Sequence, residues 1–202
     1  KNLAANINGD ISEEAKFINA VNTITKSNGN FKLESTDGLG FMADLNHKEI
    51  GIAGKNILIV GAGAAVESIL FRLVRSNPAK ITIYNRTEEK AHRLCSNYPN
   101  HNLVFTSQED EEYDIVINGS SAGLTGLFSP PKDIAVTNKT IFYDLNYSLG
   151  KTPFCEWSLE TSKSVYDGTG MLVNQAAQSF KLWFGVTPET DQVSEDLKSL
   201  AK

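Results

Sequence analysis

Gly61-Ala62-Gly63 joins a short β-branched run, Lys55–Ala62 (KNILIVGA), to a helix-forming stretch that starts near residue 65. Glycines at such a turn let backbone N–H groups approach a pyrophosphate at the positive end of the helix. Val66 takes the place of the third glycine of the dinucleotide fingerprint, which loosens the match without cancelling it. The plain alternative is a nucleotide-type sheet with no ligand. At the end of the next strand-like run stands Asn85-Arg86-Thr87. An acidic residue there would hold the ribose 2′-hydroxyl of NAD, whereas Arg86 offers a planar, permanent cation to a 2′-phosphate. Lys90 follows one helical turn later, and the pair points to NADP. Without the glycine turn upstream, Arg86 would read as an ordinary solvated surface residue.

Three further runs sit where strands end or helices begin. Asn118-Gly119-Ser120-Ser121-Ala122-Gly123 is rich in small residues, as a loop packed against a cofactor is, though alone it is only a turn. Ser35-Thr36-Asp37-Gly38 sets a carboxylate before a helix, where composition alone favours an N-cap. Asp167-Gly168-Thr169-Gly170 carries the same ambiguity. His47, His92 and His101 form no metal-ligand pattern and read as surface residues, and Cys95 and Cys155 are likewise far apart, so no metal is expected.

The elements that position these runs follow from periodicity. Residues 65–75 place Val66, Ile69, Leu70, Leu73 and Val74 at helical spacing, with Pro78 as a stop. Lys80–Asn85, Asn102–Phe105, Asp114–Asn118 and Thr140–Asp144 read as further strands, and Glu88–Asn97 as a helix with acid in its first turn. Strands alternating with helices imply βαβ units and a doubly wound parallel sheet. Upstream, Asp10-x-x-Glu13 looks like a capping box for a helix over residues 11–18. Ala20–Lys26 and Phe31–Glu34, joined by Ser27-Asn28-Gly29-Asn30, form an antiparallel hairpin of a second unit. A helix over residues 38–46 joins the two units. Gly170–Phe184 and Glu189–Ala201 are closing helices. The division expected is therefore residues 38–166 for nucleotide, with residues 1–37 and 167–202 forming a discontinuous α/β substrate domain.

Composition bounds the rest. With 41% hydrophobic and 21% charged residues the 202-residue chain is neither disordered nor a fibrous repeat. A formal charge of −5 argues against nucleic acid or an anionic membrane as main partner. No apolar run is long enough to cross a bilayer and no secretory signal is visible, so a reducing cytoplasm is expected.

Taken in order, these runs resemble shikimate dehydrogenase over essentially the whole chain. The resemblance rests on Ala20-Val21-Asn22-Thr23, Ser35–Gly38, Gly61–Gly63, Asn85–Thr87 and Asn118–Gly123. It continues through Tyr143-Asp144, Tyr147, Lys151-Thr152-Pro153-Phe154 and Gly170-Met171-Leu172-Val173-Asn174-Gln175-Ala176-Ala177. It implies two α/β domains, a Rossmann-like NADP domain and a substrate domain, and reversible NADP-dependent reduction of 3-dehydroshikimate to shikimate, on the route to aromatic amino acids. It also implies a catalytic lysine and aspartate, here Lys1 and Asp37, with Asn22, Asp37 and Gln175 hydrogen-bonding the ring hydroxyls and Tyr147 near the substrate. Cofactor contacts are implied at Gly61, Ala62, Gly63, Ala64, Ala65, Asn85, Arg86, Thr87, Lys90, Ser120, Gly168 and Met171. A lysine beside a ketone supplies both the proton and the positive charge that a developing alkoxide needs, and an aspartate orients it. Read plainly, a terminal lysine is a loose surface residue.

The family places a segment before Lys1. The expectation is therefore a fragment of a longer chain, monomer or homodimer; were these residues the whole protein, NADP binding with little or no turnover is expected. Ser35, Ala64, Glu67, Gly119 and Thr169 depart from the family's usual residues. Glu67 would repel a cofactor phosphate if it pointed inward. The rivals are a quinate/shikimate dehydrogenase with relaxed specificity and a noncatalytic nucleotide-binding paralogue.

Overall fold

The computed structural model describes residues 1–99, 101, 103–105, 112–121, 128–132 and 134–199. Ala122 and Gly123 of the small-residue loop, Asn102 and Ala201 lie outside them.

Five β-branched or aromatic runs and one short edge strand build a sheet of order β6-β5-β4-β7-β8-β9. They are β4 (Asn56–Val60), β5 (Lys80–Tyr84), β6 (Leu103–Phe105), β7 (Ile115–Asn118), β8 (Ile141–Asp144) and β9 (Val165–Tyr166). Every pairing is parallel, and the chain order reverses direction between β4 and β7. That crevice is where open α/β sheets take their ligands. Alternate residues along the strands feed two cores on opposite faces. One face carries Ile57, Ile59, Ile81, Ile83, Ile115, Ile117 and Tyr143, covered by α3 (Ala64–Leu73) through Val66, Ile69, Leu70 and Leu73 and by α4 (Glu88–Ser96) through Ala91 and Leu94. The other carries Leu58, Val60, Val116 and Phe142, covered by α5 (Pro153–Ser158) through Phe154 and Cys155.

A second, three-stranded sheet has the order β1-β3-β2. Its β2 (Thr23–Ser27) and β3 (Asn30–Glu34) form the expected hairpin, closed by Asn28 and Gly29, both at positive φ (51° and 82°). Two such residues make the turn whose twist matches the strands. β1 (Asp10–Ile11) lies parallel to β3.

Asp10 is therefore a strand residue and not the expected cap. The following helix, α1 (Glu13–Phe17), starts at Ser12, whose hydroxyl accepts from the Ala15 N–H. α3 ends before Pro78 through a short 3-10 turn, with Asn77 left-handed at φ 56°. The short elements α5 and β9 carry too few residues for periodicity to reveal.

Two helices tie the sheets together. α2 (Asp37–His47) leaves β3 and packs with Phe41 and Leu45 in the main core. α6 (Thr169–Phe184) starts at the main sheet and ends against the small one, where Thr23 and Ser179 share a 2.6 Å hydroxyl hydrogen bond and the Trp183 indole donates to the Ile24 carbonyl at 3.1 Å. A closing helix, α7 (Asp191–Ser199), packs on α6. α1 also docks on α3, by Phe17 against Phe71 (5.3 Å between rings) and a Glu14–Arg72 ion pair.

Candidate active site

Asp37 is the first residue of α2, yet its side chain does not cap the helix; the N-cap is Thr36, which makes no side-chain cap either. The carboxylate, 4% exposed, accepts from Lys1 Nζ on one oxygen and from Asn22 Nδ2 at 2.8 Å on the other. The Lys1 side chain is 47% exposed, so the pair sets a buried anion behind a half-open ammonium. An ammonium has three N–H donors, and those not aimed at Asp37 remain for a substrate oxygen. Lys1 is also held by its backbone, its carbonyl accepting the Val21 N–H at 3.2 Å, so it is not a loose end.

Asn22 is committed inward. Its Nδ2 also donates to Thr36 Oγ1 at 3.0 Å, and its Oδ1 accepts from the Thr36 N–H at 3.0 Å and the Thr23 hydroxyl at 2.9 Å. Both N–H groups and both lone pairs are thereby used, and in this arrangement Asn22 orients Asp37. Thr23, Thr36 and the Gln175 carbonyl (3.1 Å) all lie within hydrogen-bond reach of the Ser179 hydroxyl, whose single proton serves either Thr23 or Gln175. That chain of hydroxyls links Asp37 to the helix bearing Gln175. The two helices also touch directly: a Cβ on Gly40 would stand 2.7 Å from the Gln175 Cα. Tyr147, expected near substrate, is 53% exposed on the loop after β8.

At the sheet's crevice the two glycines of the turn act differently. Gly61 sits at φ 115°, and a Cβ there would meet the Gly119 and Ser120 backbone at 2.8 Å. Around Gly63 a Cβ would find no atom of the described residues within 4 Å. Gly63 is the N-cap of α3 and offers no side-chain cap, and Gly63, Ala64 and Ala65 are exposed. An open cradle facing uncapped helix N–H groups suits a pyrophosphate, so these residues fit the dinucleotide expected there. Asn85 shapes the next turn by donating to the Thr87 carbonyl at 2.7 Å. Arg86 and Lys90 are exposed beyond it, and among the described residues neither has an acidic partner, which leaves both cations available to a phosphate.

Glu67 lies in the first turn of α3. It is half-buried and acts on the Tyr98 phenol, whose pKa burial raises and Arg75 opposes, with Glu67 adding to the rise. Met171, expected at the cofactor, is 8% exposed within the main core, while the Gly168 N–H donates to the Asn146 carbonyl at 2.9 Å. His47, His92 and His101 are exposed as expected.

Sequence reasoning missed the supports of the site. Asp44, one helical face along from Asp37, is 2% exposed and accepts from Tyr143 and Lys48 while packing against Gly170. Burial, then the adjacent Asp44, pushes the Tyr143 phenol pKa far up. A cavity of about 570 Å³ lies on the outer edge at β9, lined among others by Lys48, Tyr166 and Glu195, and contains neither Lys1 nor Asp37.

A parallel sheet in this strand order, a glycine turn at its crevice and a lysine–aspartate pair nearby define a dinucleotide-dependent dehydrogenase scaffold. Residues 44–128 match the family model of shikimate / quinate 5-dehydrogenase, and residues 168–197 that of the shikimate 5′-dehydrogenase C-terminal domain. The chain is 37% identical over 206 residues to the shikimate dehydrogenase (NADP(+)) of Colwellia psychrerythraea, covering all of this chain and 75% of that one. The chain belongs to the shikimate dehydrogenase family, a family of oxidoreductases. Its structure is similar to that of the Ael1 enzyme from Pseudomonas putida (TM-score 0.86, 31% identity, 98% of this chain and 74% of that one). It is also similar to the Thermus thermophilus shikimate 5-dehydrogenase solved with NADP(H) and shikimate (TM-score 0.81, 26% identity, 94% and 72% covered).

Proposed function

We propose that the chain interconverts 3-dehydroshikimate and shikimate with NADP, using Lys1 and Asp37. The observation that carries this is the buried Asp37 carboxylate held between Lys1 and Asn22, on a helix packed against the one bearing Gln175. When bound, NADP supplies or accepts the hydride. Lys1 holds its ammonium beside the reacting oxygen and passes a proton to it or takes one away. Asp37, fixed by Asn22, keeps that ammonium in place and balances its charge. Gln175 and Tyr147 line the substrate side. The Gly61–Ala65 turn, with Ser120 and Gly168, forms the cofactor wall, Met171 packing behind it in the core, and Asn85, Arg86, Thr87 and Lys90 receive the 2′-phosphate. Residues 38–166 form the nucleotide domain and residues 1–37 with 167–202 the substrate domain.

The two free cysteines suit a reducing cytoplasm, and the partners are small molecules. Steady-state oxidation of shikimate with NADP, followed as NADPH formation and paired with NADPH titration, tests the proposal. In a chain of the length its relatives have, turnover with shikimate is the expected result; binding without turnover there would leave a noncatalytic nucleotide-binding protein, and no binding would overturn the proposal entirely. The family description names quinate beside shikimate, so quinate belongs in the same assay. Comparable kcat/KM values for the two would identify a relaxed-specificity enzyme.

A further inference from the structure

Asp144 ends β8 with its carboxylate 1% exposed, where it touches no open surface. One oxygen accepts three hydrogen bonds, from Asn118 Nδ2 at 2.9 Å, the Asn146 N–H at 3.0 Å and Asn146 Nδ2 at 2.9 Å. The other accepts the Thr152 hydroxyl at 2.6 Å. Each partner anchors a different piece of the crevice. Asn118 turns its side-chain oxygen Oδ1 to the Ser120 N–H (3.1 Å) and hydroxyl (2.7 Å). Asn146 Nδ2 also donates to the Ser120 carbonyl at 2.9 Å, and the Asn146 carbonyl receives the Gly168 N–H at 2.9 Å. Asn146 and Thr152 bracket the loop that carries Tyr147.

We propose that Asp144 is a positioning residue, whose one carboxylate locks the Ser120 turn, the Tyr147 loop and the Gly168 turn into a single unit. The proposal rests on the functional assignment above, because Ser120 and Gly168 face the cofactor there and Tyr147 the substrate. A carboxylate is suited to this because it accepts from several donors at once, and such charge-assisted bonds are stronger than neutral ones.

The test compares Asp144→Ala with Asp144→Asn by amide hydrogen exchange on the ligand-free protein, NADPH titration and shikimate KM. In Asp144→Ala the Ser120 and Asn146 amides exchange at least about tenfold faster together, while those of β4 stay protected. NADPH Kd and shikimate KM both rise by about tenfold. Asp144→Asn keeps an acceptor for the three N–H donors and restores most of each loss. Should Asp144→Ala fail to fold, Asn146→Ala, at a half-buried loop site, gives the same linked loosening. Faster exchange at only one of the two amides, or lost active fraction with Kd and KM unchanged in the remainder, overturns the proposal. If the native protein binds no NADPH, the functional assignment fails and the exchange result alone decides the positioning role.

Discussion

The Tyr143 hydroxyl donates to the buried Asp44 carboxylate across 2.7 Å, joining β8 to the helix whose first residue is Asp37. Tyr143 is wholly buried, and its ring meets Phe41 edge-on at 5.1 Å, so the contact is both polar and packed. Lys48 is the other donor to Asp44 and lies over the Tyr166 ring, 5.5 Å from its centre.

Tyr143→Phe keeps the ring but removes one of the donors that satisfy Asp44. A buried carboxylate left short of a donor costs about 1–3 kcal/mol. Urea unfolding should show that loss as a lower midpoint at constant slope. A midpoint equal to the native one would mean that Lys48 alone suffices for Asp44.

Asp37→Asn removes the charge opposite Lys1 while keeping the Asn22 contact geometry. Most of kcat should vanish, with NADPH Kd unchanged by titration. Equal losses in both would mark Asp37 as a structural residue of α2.

Arg86→Ala should weaken NADPH far more than NADH, because the guanidinium is assigned to the 2′-phosphate. Titration with both cofactors measures it directly. An unaltered preference would refute that assignment.

The two glycines of the turn separate folding from binding. Gly61→Ala forces a Cβ into the Gly119–Ser120 backbone at positive φ, so both Tm and NADPH affinity should fall. Gly63→Ala meets no atom of the described residues, and at an N-cap position costs only a fraction of about 1 kcal/mol. Its Tm should hold while NADPH binding weakens, since the added methyl enters the phosphate cradle. A Gly63→Ala protein that binds NADPH normally would place the pyrophosphate elsewhere.

Asp114 supplies a pH dependence. Burial pushes its pKa up, but the Asn56 N–H and the Lys55 ammonium outweigh this and hold it below the usual value. A carboxyl with a depressed folded-state pKa stabilises the fold above its unfolded value and loses that contribution as pH falls through the folded one. Asp114→Asn should therefore be less stable than the native protein at pH 7, and the gap should close as the pH falls below the usual carboxylate range. A gap that persists in acid would show a shape effect, not a charge effect.

Much of this was legible from residue order. Runs such as NILIV and IVIN carry their own strand assignment, because parallel strands buried on both faces read as continuous apolar stretches. The Asn28-Gly29 turn was equally plain. What escaped was set by partners distant in sequence. Asp10 has the makings of a cap, but pairing with Lys32 makes it a strand residue. On composition Asp37 also reads as a cap; it was the family resemblance that paired it with Lys1, and Lys1 and Asn22, brought alongside by the small sheet, are what its carboxylate meets. Asp44 and Asp144 carry no local pattern that distinguishes them from surface acids; burial alone does, and burial is a property of the fold.

Gly40 sets the separation of two helices by having no side chain, since the Gln175 backbone fills the space a methyl would need. A spacing defined by missing atoms has no slack to give. On this frame the distance between the acid at Asp37 and the amide at Gln175 is inelastic.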